Sequence, residues 1–255
     1  MTGLERRGWH RFPATPGSLQ WARAAREVAM DITQDPDQRA QWLRCGATWF
    51  VGVDALPTAP DGSIGGVPLP VAFLEAVQPM PSLHPAQLSV VYPGYPRPMA
   101  GESDAAFRYR RIRDAAHVDG ILAEGAQRRR FIREPHAFVL GIALTKADPG
   151  ASPLVVWEGS HVVIREALER ELSCHSREMW QEIDVTDAYQ AARRRCFESC
   201  RRVEMPALPG EAILLHRLAL HGVAPWADGA TAAAEGRMVA YFRPLLAGGI
   251  AAWLG

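Results

Sequence analysis

The run DAAHVDG places His117 and Asp119 one residue apart. In an extended backbone, residues i and i+2 project to the same side, so one imidazole and one carboxylate can reach a common metal ion. Gly120 follows directly and lets the chain turn away. Much later, the strand-like run PGEAILLHRLALHGVAPW offers His221, followed by Gly222. Two histidines and one carboxylate form a facial triad, a ligand set that holds Fe(II) and leaves positions open for a co-substrate and dioxygen. Sixteen residues beyond His221, GRMVAYFRP puts Arg237 on an expected strand, and a guanidinium fork is suited to grip a carboxylate bidentately.

Two positions have rivals. His216 and His221 are five apart, so in an uninterrupted strand they face opposite sides and only one can join the pocket. On the last strand Arg237, Tyr241 and Arg243 share one face, which makes Arg243 the rival carboxylate anchor. Asp114 is a conceivable partner to orient a metal-bound histidine. His136, His161 and His175 read as satisfied core or surface groups, and Trp157 and Trp226 as core residues that could border the pocket. The arginine clusters Arg128 to Arg130 and Arg193 to Arg195 read as solvated faces. Cys196 and Cys200 lie four apart in a helical run, but with too few soft ligands nearby they read as ordinary reduced cysteines.

The elements that must position these residues follow from composition and periodicity. The 255 residues, 48% of them hydrophobic, can bury a substantial core, and one domain spanning 1–255 is expected. The 28 basic residues balance the 28 acidic ones, so no global field favours nucleic acid or an anionic membrane. Apolar runs such as Ala137 to Leu144 are far too short to cross a bilayer. The start, MTGLERRGWHRF, lacks the apolar region of a secretory signal, and a cytoplasmic protein is expected. Residues 1–50 read as a helical layer, with Trp21, Ala24, Ala25, Val28 and Ile32 at helical spacing. Ala55 to Pro98 is proline-rich and favours short extended segments. Strands are expected at Leu88 to Tyr92, Phe107 to Arg113, Ala137 to Thr145, Leu154 to Trp157, Ala212 to His216 and Arg237 to Arg243. Helices are expected from about Val163 to Leu172 and from Asp184, as N-cap, through Met205. The sum is an α+β chain that is mainly β: an antiparallel jelly roll over 87–244, covered by N-terminal helices and a helical insertion at about 163–203.

Taken together, AHVDG, SPLVVWEGSH, HRLALHGVAPW and GRMVAYFRP resemble the phytanoyl-CoA dioxygenase family of non-haem iron, 2-oxoglutarate-dependent oxygenases, from about Gln87 to Pro244. The resemblance implies a double-stranded β-helix of the cupin-like kind, with His117, Asp119 and His221 as iron ligands and Arg237 on the far carboxylate of 2-oxoglutarate. It also implies that dioxygen is consumed, succinate and carbon dioxide are released, and a small molecule is hydroxylated; a carboxylate at 119 argues against halogenation. Gly159, Ser160 and His161 match the family's Gly-Ser-His ending, which shapes a turn near the site. The interval from His221 to Arg237 is longer than the family's, ADGATAAAEG reading as a surface insertion in a hairpin, and Val223 stands where the family often has serine. Two other readings remain open on the same ligands: a hydrolase or isomerase using another metal, and a jelly-roll protein that binds a small ligand without catalysis. The apolar ending LLAGGIAAWLG could pack on the domain or on a second copy in a homo-oligomer.

Overall fold

A computed structural model describes residues 3–75, 77 and 81–255. Residues 1, 2, 76 and 78–80, which belong to the expected helical layer and proline-rich stretch, lie outside the described residues. The chain opens with α1 (Gly3–Arg7), β1 (Trp9–Phe12), α2 (Pro16–Gln34) and α3 (Pro36–Trp42). Thr15 and Ser18 cap the start of α2 reciprocally, and Asp35 ends α2 while its carboxylate accepts from the Asp37 and Gln38 N–H groups of α3. Next come β2 (Leu43–Arg44), β3 (Trp49–Leu56), β4 (Ala86–Val91), α4 (Asp104–Ile112), β5 (Ile121–Glu124) and β6 (Arg129–Ile132). The remainder is β7 (Phe138–Ala143), β8 (Leu154–Glu158), α5 (Ser160–Leu172), α6 (Thr186–Ser199), β9 (Arg201–Met205), β10 (Ala212–His216), β11 (His221–Val223), β12 (Arg237–Phe242) and α7 (Gly249–Leu254). Among the described residues no helix is long and apolar enough to cross a membrane.

The strands form the expected jelly roll. A seven-stranded antiparallel sheet runs β1-β10-β7-β12-β4-β3-β2, and a three-stranded sheet runs β11-β8-β9. The large sheet is buried on both faces. Met238, Ala240 and Phe242 of β12 pack with Trp21 and Ala25 of α2. Val139, Ile213 and Leu215 pack on Leu154, Val156 and Met205 of the small sheet. This double burial explains why β7 reads as an unbroken apolar run rather than an alternating one.

Four expectations are corrected. The first fifty residues are not wholly helical, because β1 pairs with β10 at one edge of the large sheet and β3 pairs with β4. Phe107 to Arg113 is not a strand but lies in and just beyond α4, where the Ser103 hydroxyl accepts from Ala106 N–H and Asp104 occupies the first turn. The second inserted helix ends at Ser199, and Arg201–Met205 is a strand in which Val203 and Met205 face the core while Arg202 and Glu204 point outward. Finally, β11 and β12 are not a hairpin; they belong to different sheets, and 227–236 crosses between them.

The N-terminal segment is tied to the barrel by two histidines away from the Asp119 region. The His161 and His216 rings meet at a tilt with centroids 4.7 Å apart, His161 Nε2–H donates to Glu5 O over 2.9 Å, and Leu218 N–H donates to His216 Nδ1 over 3.1 Å. Burial, then the charges of His161, Arg217 and Arg165, push the pKa of His216 down to about 3, and burial also lowers that of His161. An unfolded imidazole titrates near 6.5. Below that pH these two imidazoles bind more protons in the unfolded chain than in the folded one, so their contribution to stability is fullest above about pH 6.5 and is lost as pH drops toward about 3. Thermal denaturation between pH 7 and pH 4 should show this slope, and His216→Asn, which keeps an acceptor near Nδ1 without a titrating ring, should make it shallower.

Candidate metal centre

His117 and His221 are joined before any metal is considered. Their backbones form an isolated antiparallel bridge, with His117 N–H donating to His221 O over 2.8 Å and His221 N–H donating to His117 O over 3.0 Å. The bridge adds the H-x-D segment to the exposed edge of β11, whose other edge is paired with β8. Both following glycines are required by close backbone approach. A Cβ at Gly222 would collide with the Asp114 carbonyl oxygen, and one at Gly120, where φ is +86°, would collide with that of Glu134. Tyr189 of the inserted helix α6, itself buried, accepts the Val118 N–H over 2.9 Å and pins the residue between His117 and Asp119.

The bridge brings His117, Asp119 and His221 together, with one ligand atom from each within 4.8 Å of the others. His117 Nε2 lies 3.1 Å and His221 Nε2 3.9 Å from Asp119 Oδ1. Each ring spends its other nitrogen on the backbone: His117 Nδ1 is 3.0 Å from Ala115 O and His221 Nδ1 2.9 Å from Ala219 O. A carbonyl only accepts, so both protons belong on Nδ1 and both Nε2 lone pairs face the common point. Asp114 is not an orienting partner, because its buried carboxylate is held by Arg202 at 2.7 and 2.9 Å. Ala115 and Ala219 take that role, which no side-chain pattern could reveal.

The electrostatics suit a cation. Burial works against an ionised Asp119, but the His117 hydrogen bond and the charges of His221, His117 and Arg243 hold its pKa far below the ordinary carboxylate range. Burial and then the neighbouring His117 push His221 down to about 4, leaving it neutral with a free lone pair. Desolvation opposes a charged His117, yet Asp119 outweighs it and raises that pKa.

Asp119, His117 and His221 open into a cavity of about 250 Å³ inside the barrel, walled by Trp49, Val51, Ser89 and Tyr241 of the large sheet and by Leu154 of the small one. Trp49 Nε1–H donates to Ser89 Oγ over 3.0 Å. Gln87 and Ser89, polar residues at alternate positions of an otherwise apolar β4, were the legible sign of this inner face. Strand alternation puts Arg237, Tyr241 and Arg243 on the same side of β12, as expected. Arg243 lines the cavity and its Nη1 stands 3.6 Å from Asp119 Oδ2. Arg237 does not line it. It sits at the other end of the strand, 8% exposed, with Nη1 buried and without a hydrogen-bond partner, and among the described residues it forms no ion pair. His216 stays away from the cluster, its ring tilted against that of His161, and a break in the strand rather than parity separates it from His221. Gly159, with φ +81°, forms the turn that starts α5, and Ser160 Oγ accepts the Leu220 N–H, one residue before His221, over 2.9 Å. Trp157 is core, and Trp226 is half-buried with its Nε1–H donated to Ala230 O.

No protein-family model matches the sequence, and no curated protein matches it. Among solved structures the chain is similar to the non-heme alpha ketoglutarate dependent carbocyclase SnoK from nogalamycin biosynthesis, at 13% identity over 95% of this chain and 81% of that one, with a TM-score of 0.49. It is also similar to EctD from S. alaskensis, crystallised with 2-oxoglutarate and 5-hydroxyectoine, at 13% identity over 95% and 74% of the two chains, TM-score 0.43. A third is AviO1 from Streptomyces viridochromogenes Tue57, at 12% identity over 94% and 91%, TM-score 0.43.

Gly222→Ala tests the bridge itself. The added methyl group must push the Asp114 carbonyl and the H-x-D segment away, so the variant should lose about 1–3 kcal/mol of stability, as overpacked sites do. It should also bind Mn(II) more weakly than the parent, with thermal denaturation and calorimetric titration as the two measurements.

Proposed function

We propose that the chain is an Fe(II)- and 2-oxoglutarate-dependent dioxygenase that hydroxylates a small molecule, releasing succinate and carbon dioxide, as its resemblance to the phytanoyl-CoA dioxygenase family implies. The observation that carries this reading is the convergence of two imidazole Nε2 atoms and one anionic carboxylate on a single point at the mouth of a small, largely apolar cavity. His117, Asp119 and His221 would hold the iron, and three protein ligands leave the remaining coordination positions to the co-substrate and dioxygen. Iron and 2-oxoglutarate bound there supply an oxidant able to attack an unactivated C–H bond.

The chain's own residues do the positioning. Ala115 and Ala219 fix the imidazole tautomers, and Arg243 steadies the second oxygen of Asp119. Arg237 is the anchor for the far carboxylate of 2-oxoglutarate. A buried guanidinium with no protein counter-ion is unfavourable by itself, and a carboxylate from solution supplies the missing partner. Arg243 is unsuited to that task because it already touches a ligand carboxylate. The two ends of 2-oxoglutarate are separated by two methylene groups, so its anchor must stand away from the metal. Trp49, Val51, Val53 and Val139 line the cavity with apolar surface beside the three residues.

Purified chain supplied with Fe(II), 2-oxoglutarate, oxygen and a small-molecule library should release succinate, and His117→Ala should abolish it. Arg237→Leu should raise the KM for 2-oxoglutarate roughly 10- to 100-fold, the range expected for losing a charge-assisted hydrogen-bonded pair. If 2-oxoglutarate neither binds nor turns over, the oxygenase reading fails; if Arg243→Leu alone raises that KM, the anchor is misassigned.

A further inference from the structure

Beside the ligands lies a second, larger cavity of about 1320 Å³, and His117, whose side chain is 48% exposed, lines both. Its wall carries six arginines, Arg39, Arg44, Arg110, Arg128, Arg130 and Arg193, against one carboxylate, Glu102. Glu102 is taken by Arg110. Among the described residues the other five form no ion pair, whereas Arg129 beside them is paired with Asp184. Alternation along β6 makes the contrast sharp, because Arg129 turns out to its acid while Arg130 turns into the cavity. The solvated-face reading of Arg128 to Arg130 holds for the exposed Arg128 and for Arg129, while the half-buried Arg130 faces the cavity.

Two of these guanidinium groups touch the chain segment that carries His117 and Asp119. Arg193 lies between the rings of Tyr109 and Tyr189, at 5.1 and 4.9 Å. Its Nη1 donates to Tyr109 Oη at 3.0 Å and to Ala116 O at 3.4 Å, while its Nε is buried without a partner. Arg130 donates to Ile121 O over 3.4 Å, and burial together with the charges of Arg193 and Arg128 holds its pKa below the ordinary guanidinium value. Arg130 and Arg193 are half-buried like charges that repel one another, and an anionic ligand relieves that repulsion.

We infer that this cavity binds the substrate and selects a multiply anionic small molecule, one that carries a phosphate group or several carboxylates, with Arg128, Arg130 and Arg193 clamping the anionic end beside His117. The inference rests on the oxygenase reading for calling the ligand a substrate, but the anion site stands on the cavity alone. A volume above the usual 300–1000 Å³ range for small-molecule sites, roughly, leaves room for a sizeable body beyond the charged group. Arg193 links the clamp to the metal segment through Ala116 O and through Tyr189, whose hydroxyl holds Val118 N–H.

The test is calorimetric titration of the full chain, with and without Mn(II) and 2-oxoglutarate, using phenyl phosphate, isophthalate and benzyl alcohol as probes. One anion should bind per chain while the neutral alcohol does not; phenyl phosphate alone assigns a phosphate, isophthalate alone assigns paired carboxylates, and either supports the site. Arg128→Asn, suited to a backbone already at φ +52°, and Arg130→Gln should each weaken binding about tenfold. Arg195→Ser, which removes a partner of Glu166 outside the cavity, should leave it unchanged. Binding of neither anion, equal binding of the alcohol, or indifference to both variants overturns the inference. Succinate release that persists without anion binding removes this inference only, whereas anion binding without any 2-oxoglutarate turnover removes the oxygenase reading and leaves the anion site.

Discussion

Two backbone hydrogen bonds, exchanged between His117 and His221, set the geometry on which everything else at the site depends. They fasten a loop segment to the free edge of the small sheet. With that register fixed, the two rings must lie side by side, 4.7 Å between centroids, and the i+2 position puts Asp119 against both. The glycines at 120 and 222 are there because the backbone approaches too closely for a side chain. The inserted helix α6 contributes through Tyr189, so the insertion supports the site even though it adds no metal ligand.

Charge is distributed with the same economy. Asp119 is the carboxylate of the ligand cluster, and its neighbours His117, His221 and Arg243 keep it ionised despite burial. Among the described residues, cationic groups without an acid partner include Arg237 at the start of β12 and five arginines in the wall of the larger cavity. Both are places where a ligand's anionic group would complete the structure. A neutral net charge for the whole chain thus coexists with a strongly positive approach to the ligands.

Much of this was legible in the sequence because the relevant constraints are local. H-x-D in an extended segment forces a shared side, His221 followed by glycine marks a strand that tolerates a close neighbour, and the apolar runs at 138–143 and 212–216 are strands because double burial leaves them no polar face. What escaped depends on long-range pairing or on the backbone. Trp9–Phe12 is too short and too polar to announce that it completes a sheet, and it does so only because β10 offers an edge. The alternating aromatic and arginine residues of 107–113 fit a strand as well as a helix, and the Ser103 cap decides for the helix. The parity argument separating His216 from His221 assumed one strand where two sheets meet. Carbonyl partners such as Ala115 and Ala219 carry no side-chain signature at all.

The central claim is that His117, Asp119 and His221 form one metal site served by a co-substrate anchored at Arg237. A crystal structure of the chain grown anaerobically with Mn(II) and 2-oxoglutarate tests it most directly. The account predicts one ion held by Nε2 of both histidines and an oxygen of Asp119, with 2-oxoglutarate chelating it and its far carboxylate on Arg237. An ion bound elsewhere, or a far carboxylate seated on Arg243 with Arg237 still unpartnered, would contradict it.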